Sequence, residues 1–141
     1  MRRILIVSLM VLLAGCGKTK KDYSLEELLG KLKDNDPGIR YWAARELGHR
    51  GAQAKDAVPA LTEILKDKDG NVRMGGAYAL GEIGEDAKAA IPALQRVLKD
   101  PVEGVRQGAA YALQRIQDPN ANAKDGKSAT KRRQREPRPK S

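Results

Sequence analysis

The chain repeats itself every 33 residues, and this constrains its fold more than any motif in it. A shift of 33 superposes Arg40, Arg73 and Arg106, then Ala44, Ala77 and Ala110, then Leu47, Leu80 and Leu113. The same shift aligns Leu28/Leu61/Leu94, Leu32/Leu65/Leu98, Lys33/Lys66/Lys99 and Asp34/Asp67/Asp100. Ile39/Val72/Val105 and Leu25/Val58/Ile91 add conservative triples. Repeats of this length are supersecondary units that cannot bury an apolar face alone and do so by stacking. Composition agrees. With 40% hydrophobic residues, 4% aromatic and no Phe, the chain is thin for one globular core but ordinary for a solenoid built on Ala and Leu.

Each unit reads as two short helices. The first, Asn71–Glu82 in the middle copy, sets Val72, Ala79 and Leu80, with Ile83 after them, at helical spacing with small residues between. Gly75 and Gly76 inside it cost about 1 kcal/mol each against Ala, which predicts a neighbouring helix pressed close. Gly84 predicts the stop. The second helix, Asp56–Lys66, has a stripe of Val58, Leu61 and Leu65, with Asp56 as the expected N-cap. Pro59 and Pro92 fall in the first turn of such helices, where the missing N–H has no intrahelical partner anyway. The opening "YSLEELLGKLKD" aligns with a second helix alone, and Ser24 and Glu27 are spaced as a capping box. Six helices over residues 23–117 are therefore expected.

The stretch "DGNVRMGGAYALGEIGEDAKAAIPALQRVLKD" (Asp69–Asp100) resembles a HEAT-like repeat of the phycobilisome-lyase type. It carries the Asp, the Val-Arg, the Ala-x-x-Leu-Gly-x-Ile-Gly and the Pro-containing second helix of that pattern. The resemblance implies an all-α fold, a short right-handed superhelix of antiparallel helix pairs, with the second helices lining the concave side. It also implies a structural ladder between units through the repeating acids and arginines, here Asp36, Asp69, Arg40, Arg73 and Arg106. Val102 stands where the third unit should have its Asp, so the last link lacks its acid. Arg50 departs from Ile83 and Ile116 in the first unit, as terminal repeats tend to.

Ahead of the repeats, Met1-Arg2-Arg3 is a positive start and Ile4–Leu13 an apolar run of ten. Ten residues are too few to span a bilayer, which takes roughly 20, and the pattern is that of a signal peptide. Gly17-Lys18-Thr19 ends as a P-loop ends, but the position five before Gly17 is Leu12 rather than glycine, and no apolar helix follows. Leu13-Ala14-Gly15-Cys16 instead resembles the lipobox of bacterial lipoproteins. That implies cleavage of residues 1–15, acylation of Cys16, and a tether over residues 16–22. The lone cysteine is then unavailable for a disulfide, a zinc cluster or nucleophilic attack.

Little in the repeats suggests catalysis. Metal hydroxylases of this general architecture gather iron through His-Glu pairs, whereas the lone His49 precedes Arg50 and has Glu82 and Arg115 as its equivalents. A catalytic metal site wants about three protein ligands. Glu26/Glu27 and Glu85/Asp86 read as solvated helix starts that suit the dipole. Bilin lyases sharing the repeat act in the cytoplasm with longer arrays, so export and shortness argue against that activity. No cofactor is implied.

A surface remains. On the second helices the expected exposed residues are Lys33, Thr62, Glu63, Lys66, Gln95, Arg96 and Lys99. Lys33/Lys66/Lys99 would form either a basic ladder or merely three solvated last-turn lysines. Trp42, where other units have Gly75 and Gly108, either fills room beside a half unit or anchors a partner. Tyr78 and Tyr111 occupy equivalent positions, read as packing with partial exposure.

The tail, residues 118–141, has no apolar periodicity and is expected to be disordered. From Gln117 on it holds eight Lys/Arg against three Asp/Glu. Export argues against nucleic acid and for anionic lipid or another anionic envelope polymer, or else for a purely solubilising role. The sequence thus suggests a non-enzymatic, lipid-anchored protein-interaction module of a bacterial envelope, facing the periplasm or cell exterior. The rivals are a lyase or hydroxylase, or a polyanion binder acting through the tail.

Overall fold

The computed structural model describes residues 23–118 and 120. The signal segment, Cys16, the tether and nearly all of the basic tail lie outside the described residues. Among the described residues six α-helices follow one another: α1 (Leu25–Lys31), α2 (Pro37–His49), α3 (Val58–Ile64), α4 (Gly70–Ile83), α5 (Ile91–Val97) and α6 (Glu103–Gln117). They form three hairpins, short helix then long helix, with α1 against α2, α3 against α4 and α5 against α6. The long helices stack side by side in chain order, α2 on α4 and α4 on α6. No strand occurs among the described residues, and the chain is a short α-solenoid.

Small residues set the spacing of the long helices. A Cβ on Gly48 would lie 2.8 Å from Ala79 Cα, and one on Gly81 would lie 2.9 Å from Ala112 Cα. On the opposite side of the same helices, Gly75 faces the Tyr41 ring and Gly108 faces Ala77 and Tyr78. The core between the layers is alanine and leucine, including Leu28, Leu47, Leu61, Leu80 and Leu94, all fully buried.

Helix starts follow local chemistry. Ser24 and Glu27 close a capping box on α1. Asp36 accepts from Gly38 N and caps α2, and Asp69 accepts from Asn71 N and Val72 N and caps α4. Asp56 does not cap α3. A 3-10 turn, Gly51–Ala57, precedes that helix, whose N-cap is Ala57 with no side-chain bond. Its counterpart Gly84–Ala90 leads into α5. Both turns open on glycines in the left-handed region, Gly51 at φ 53° and Gly84 at φ 76°, where a Cβ would crowd the following carbonyl.

The first unit is closed off in its own way. The Tyr23 and Trp42 rings meet edge to face at 5.0 Å, and the Lys31 ammonium lies 5.3 Å from the Tyr23 centroid. Arg50 donates from Nη2 to the Tyr23 carbonyl, which explains why the first unit has arginine where the others have isoleucine.

Candidate interaction surface

The units are joined by forked ion pairs. Arg40 donates from Nε to Asp67 Oδ2 at 2.7 Å and from Nη2 to Asp67 Oδ1 at 2.9 Å. Its Nη1 is held by the carbonyls of Asp34 and Asn35. Arg73 repeats the pattern one unit on, with Asp100 as its acid at 2.8 and 2.9 Å and the carbonyls of Asp67 and Lys68 behind it. Hydrogen bonds from the guanidinium hold the Asp67 and Asp100 carboxyls below the ordinary carboxylate value, outweighing burial, and the arginines are raised in turn. Two parallel N–H···O bonds to a carboxylate make a strong, geometrically specific link.

The ladder thus corrects one expectation. Its acids are Asp67 and Asp100, while Asp36 and Asp69 are helix caps. Val102 therefore costs α6 its side-chain cap and leaves the Arg73 link intact. Arg106 keeps only the inner half of the pattern, donating from Nη1 to the carbonyls of Asp100 and Pro101.

On the short-helix side, a groove of about 380 Å³ runs between α1 and α3. Leu29, Leu32, Pro59, Ala60 and Ile64 line it, and Lys33 and Glu63 carry opposite charges among them. Of the residues expected on this side, Lys33, Glu63, Lys66, Gln95, Arg96 and Lys99 are exposed. Thr62 is half-buried, and its hydroxyl donates to Val58 O one turn back. The lysine column is not a uniform basic ladder, because Lys66 Nζ is bound to Glu63 at 2.9 Å. The apolar lining is what residue-type reasoning passed over. Leu29 and Pro59 read as ordinary helix residues until two helices are set side by side.

Trp42 belongs elsewhere, at the closed end with Tyr23, 39% exposed. Packing against Tyr23, with no long helix ahead of α2 among the described residues, accounts for it. Tyr78 and Tyr111 meet at 5.4 Å on the long-helix side, with the Arg45 guanidinium 5.8 Å from the Tyr78 ring and Glu82 3.5 Å from Arg45. Both tyrosines are half-buried. His49 is exposed, and its only described polar neighbour is Arg45 at 3.5 Å. No group of three or more His, Cys, Asp or Glu able to hold a metal occurs among the described residues.

Stacked helix hairpins tied by repeating ion pairs and flanked by an apolar groove define an α-solenoid, a class suited to binding other proteins along its length. Residues 25–114 match the family description "HEAT repeats", and the chain belongs to that family. HEAT repeats are in general protein-interaction scaffolds. No curated protein matches the chain.

Proposed function

We propose that this chain is a non-enzymatic protein-interaction module held to a bacterial envelope membrane through lipid on Cys16. Its partner would be a protein bound along the side formed by α1, α3 and α5. The observation that carries the binding half is the groove there. It pairs an apolar floor with opposite charges at Lys33 and Glu63, the mixture of buried apolar centre and polar rim typical of interfaces. The anchoring half rests on the leading sequence, the positive start, the apolar run Ile4–Leu13 and Leu13-Ala14-Gly15-Cys16; among the described residues no helix is long and apolar enough to cross a membrane. Residues 17–22 would let the solenoid stand roughly 20 Å from the lipid. Several Lys and Arg in the tail would add contact with anionic headgroups, each contributing on the order of 1 kcal/mol near the surface.

A photo-reactive amino acid at Glu63, with the exposed Lys88 in the turn Gly84–Ala90 as the control position, tests the binding half in intact cells. A discrete protein adduct from position 63 and none from 88 is the expected result; equal, diffuse labelling at both would overturn it. Cys16→Ala tests the anchor. The variant should stay helical but unprocessed and unlipidated, and processing before residue 16 with membrane recovery like the wild type would remove the claim. Stoichiometric iron or a bound tetrapyrrole on the purified chain would overturn the non-enzymatic reading and favour a hydroxylase or lyase.

A further inference from the structure

The two ends of the stack are chemically unequal. In the inner units, the face turned to the following unit is covered. Ala44 and Ala77 are 0% exposed, Leu47 and Leu80 likewise, and Leu32 and Leu65 are 4% and 2% exposed. In the last unit the equivalents are bare: Ala110 is exposed, Leu113 half-buried, and Leu98 40% exposed. Arg106 sits among them with its Nη1 already fixed by two carbonyls, as in Arg40 and Arg73. Its outer fork, Nε and Nη2, meets no carboxylate among the described residues. The guanidinium is thus posed for an acid.

We infer that this outer face of α5 and α6 is a receptor for a single helix of another protein, apolar along one stripe and carrying a carboxylate just past its C-terminal end. The molecule contains the solution twice. Asp67, three residues beyond α3, forks onto Arg40 of α2, and Asp100, three residues beyond α5, forks onto Arg73 of α4.

Other occupants fit worse. In this chain's own tail the 33-residue shift places Arg133 where the acid belongs, next to Lys131 and Arg132, and like charge repels Arg106. A second copy would bring Asp34 to the right position. It would also bring Trp42 where Gly75 and Gly108 admit the preceding long helix, and Lys31 where the other units have Ile64 and Val97. A whole further repeat meets Gln114, which is exposed and stands where Gly48 and Gly81 let the next long helix approach. One short helix avoids all three obstacles. This proposal depends neither on the α1–α3 groove nor on the anchor.

The test uses the full chain, isotopically labelled, and a synthetic peptide of residues 55–69 that contains α3 and Asp67. Saturable NMR shifts centred on Leu98, Arg106 and Leu113 are expected, with weak affinity because the peptide must order itself. Arg106→Gln in the chain, or Asp67→Asn in the peptide, should each weaken binding at least about five-fold, as loss of a charge-assisted bond does. Combined, the two changes should weaken it no more than either alone. Leu98→Glu, on an exposed side chain that the fold does not need, should also abolish the shifts. No saturation at millimolar peptide, or saturation unaffected by both Arg106→Gln and Leu98→Glu, would overturn the proposal. Concentration-dependent shifts without peptide, at this face and at Tyr23–Trp42 together, would assign the face to a second copy and overturn it equally.

Discussion

Gly81 and Gly30 look alike in the sequence, each a glycine inside a helix, yet the structure separates them sharply. A Cβ at Gly81 would come within 2.8 Å of the Tyr111 ring and 2.9 Å of Ala112 Cα, while at Gly30 it would meet nothing within 4 Å. Helix propensity favours alanine by about 1 kcal/mol at both. At Gly81 the obstacle includes backbone, and overpacking of this kind costs about 1–3 kcal/mol. Urea melts should therefore show Gly30→Ala stabilised by about 0.5–1 kcal/mol and Gly81→Ala destabilised by about 1–2 kcal/mol. The sequence announces that some glycines admit a neighbour, and Gly75 does face Tyr41 as that reading requires. Lys66 was less legible. Its charge is shared with Glu63 three residues earlier, a pairing that a column of lysines conceals.

At the level of the helix, beginnings decide much. Asp36 and Asp69 cap α2 and α4, and α6 starts on Val102 with no side-chain cap. Val102→Asp should supply one, and because Val102 is 38% exposed little apolar burial is lost. A gain of about 1 kcal/mol, read from thermal or urea unfolding, is expected. Existence, order and type of all six helices were legible, since the 33-residue columns carry the apolar stripe of each. Which acid pairs with which arginine was not. Asp67 and Asp69 lie two residues apart in one turn, and both approach the arginines that sequence spacing can only count towards. The usable signal was identity: Asp34/Asp67/Asp100 is unbroken in three copies, whereas Asp36/Asp69 lapses at Val102. The 3-10 turns were hidden for a different reason. Two glycines at positive φ begin them, and the residues that follow, such as Lys55 and Asp56, pass equally well for a helix start.

Across the whole array, the forked pairs make stability sensitive to acid. The Asp67 and Asp100 carboxyls are depressed in the folded protein by their arginines. A depressed acid contributes stability that is complete above its unfolded value, near pH 4, and is lost as pH falls through the folded value. Chemical unfolding followed from pH 7 to pH 2 should show stability dropping from about pH 4 downward. Asp100→Asn should flatten part of that drop, having already lost about 1–3 kcal/mol at neutral pH by orphaning Arg73. An unchanged acid slope in that variant would show that the pair adds nothing to pH dependence.

The closed first unit, with Tyr23, Trp42, Lys31 and Arg50 all departing from the repeat, gives the molecule a sense of direction. Duplicating 33 residues after Gln117 would need Gln114→Gly for a new long helix to seat and Gln117→Gly for the turn that Gly51 and Gly84 open in the other units. Duplicating them ahead of Ser24 would need every one of those closing side chains replaced. The array is therefore a polymer with one living end and one dead end, and descendants of this chain that grow longer should have grown away from residue 23.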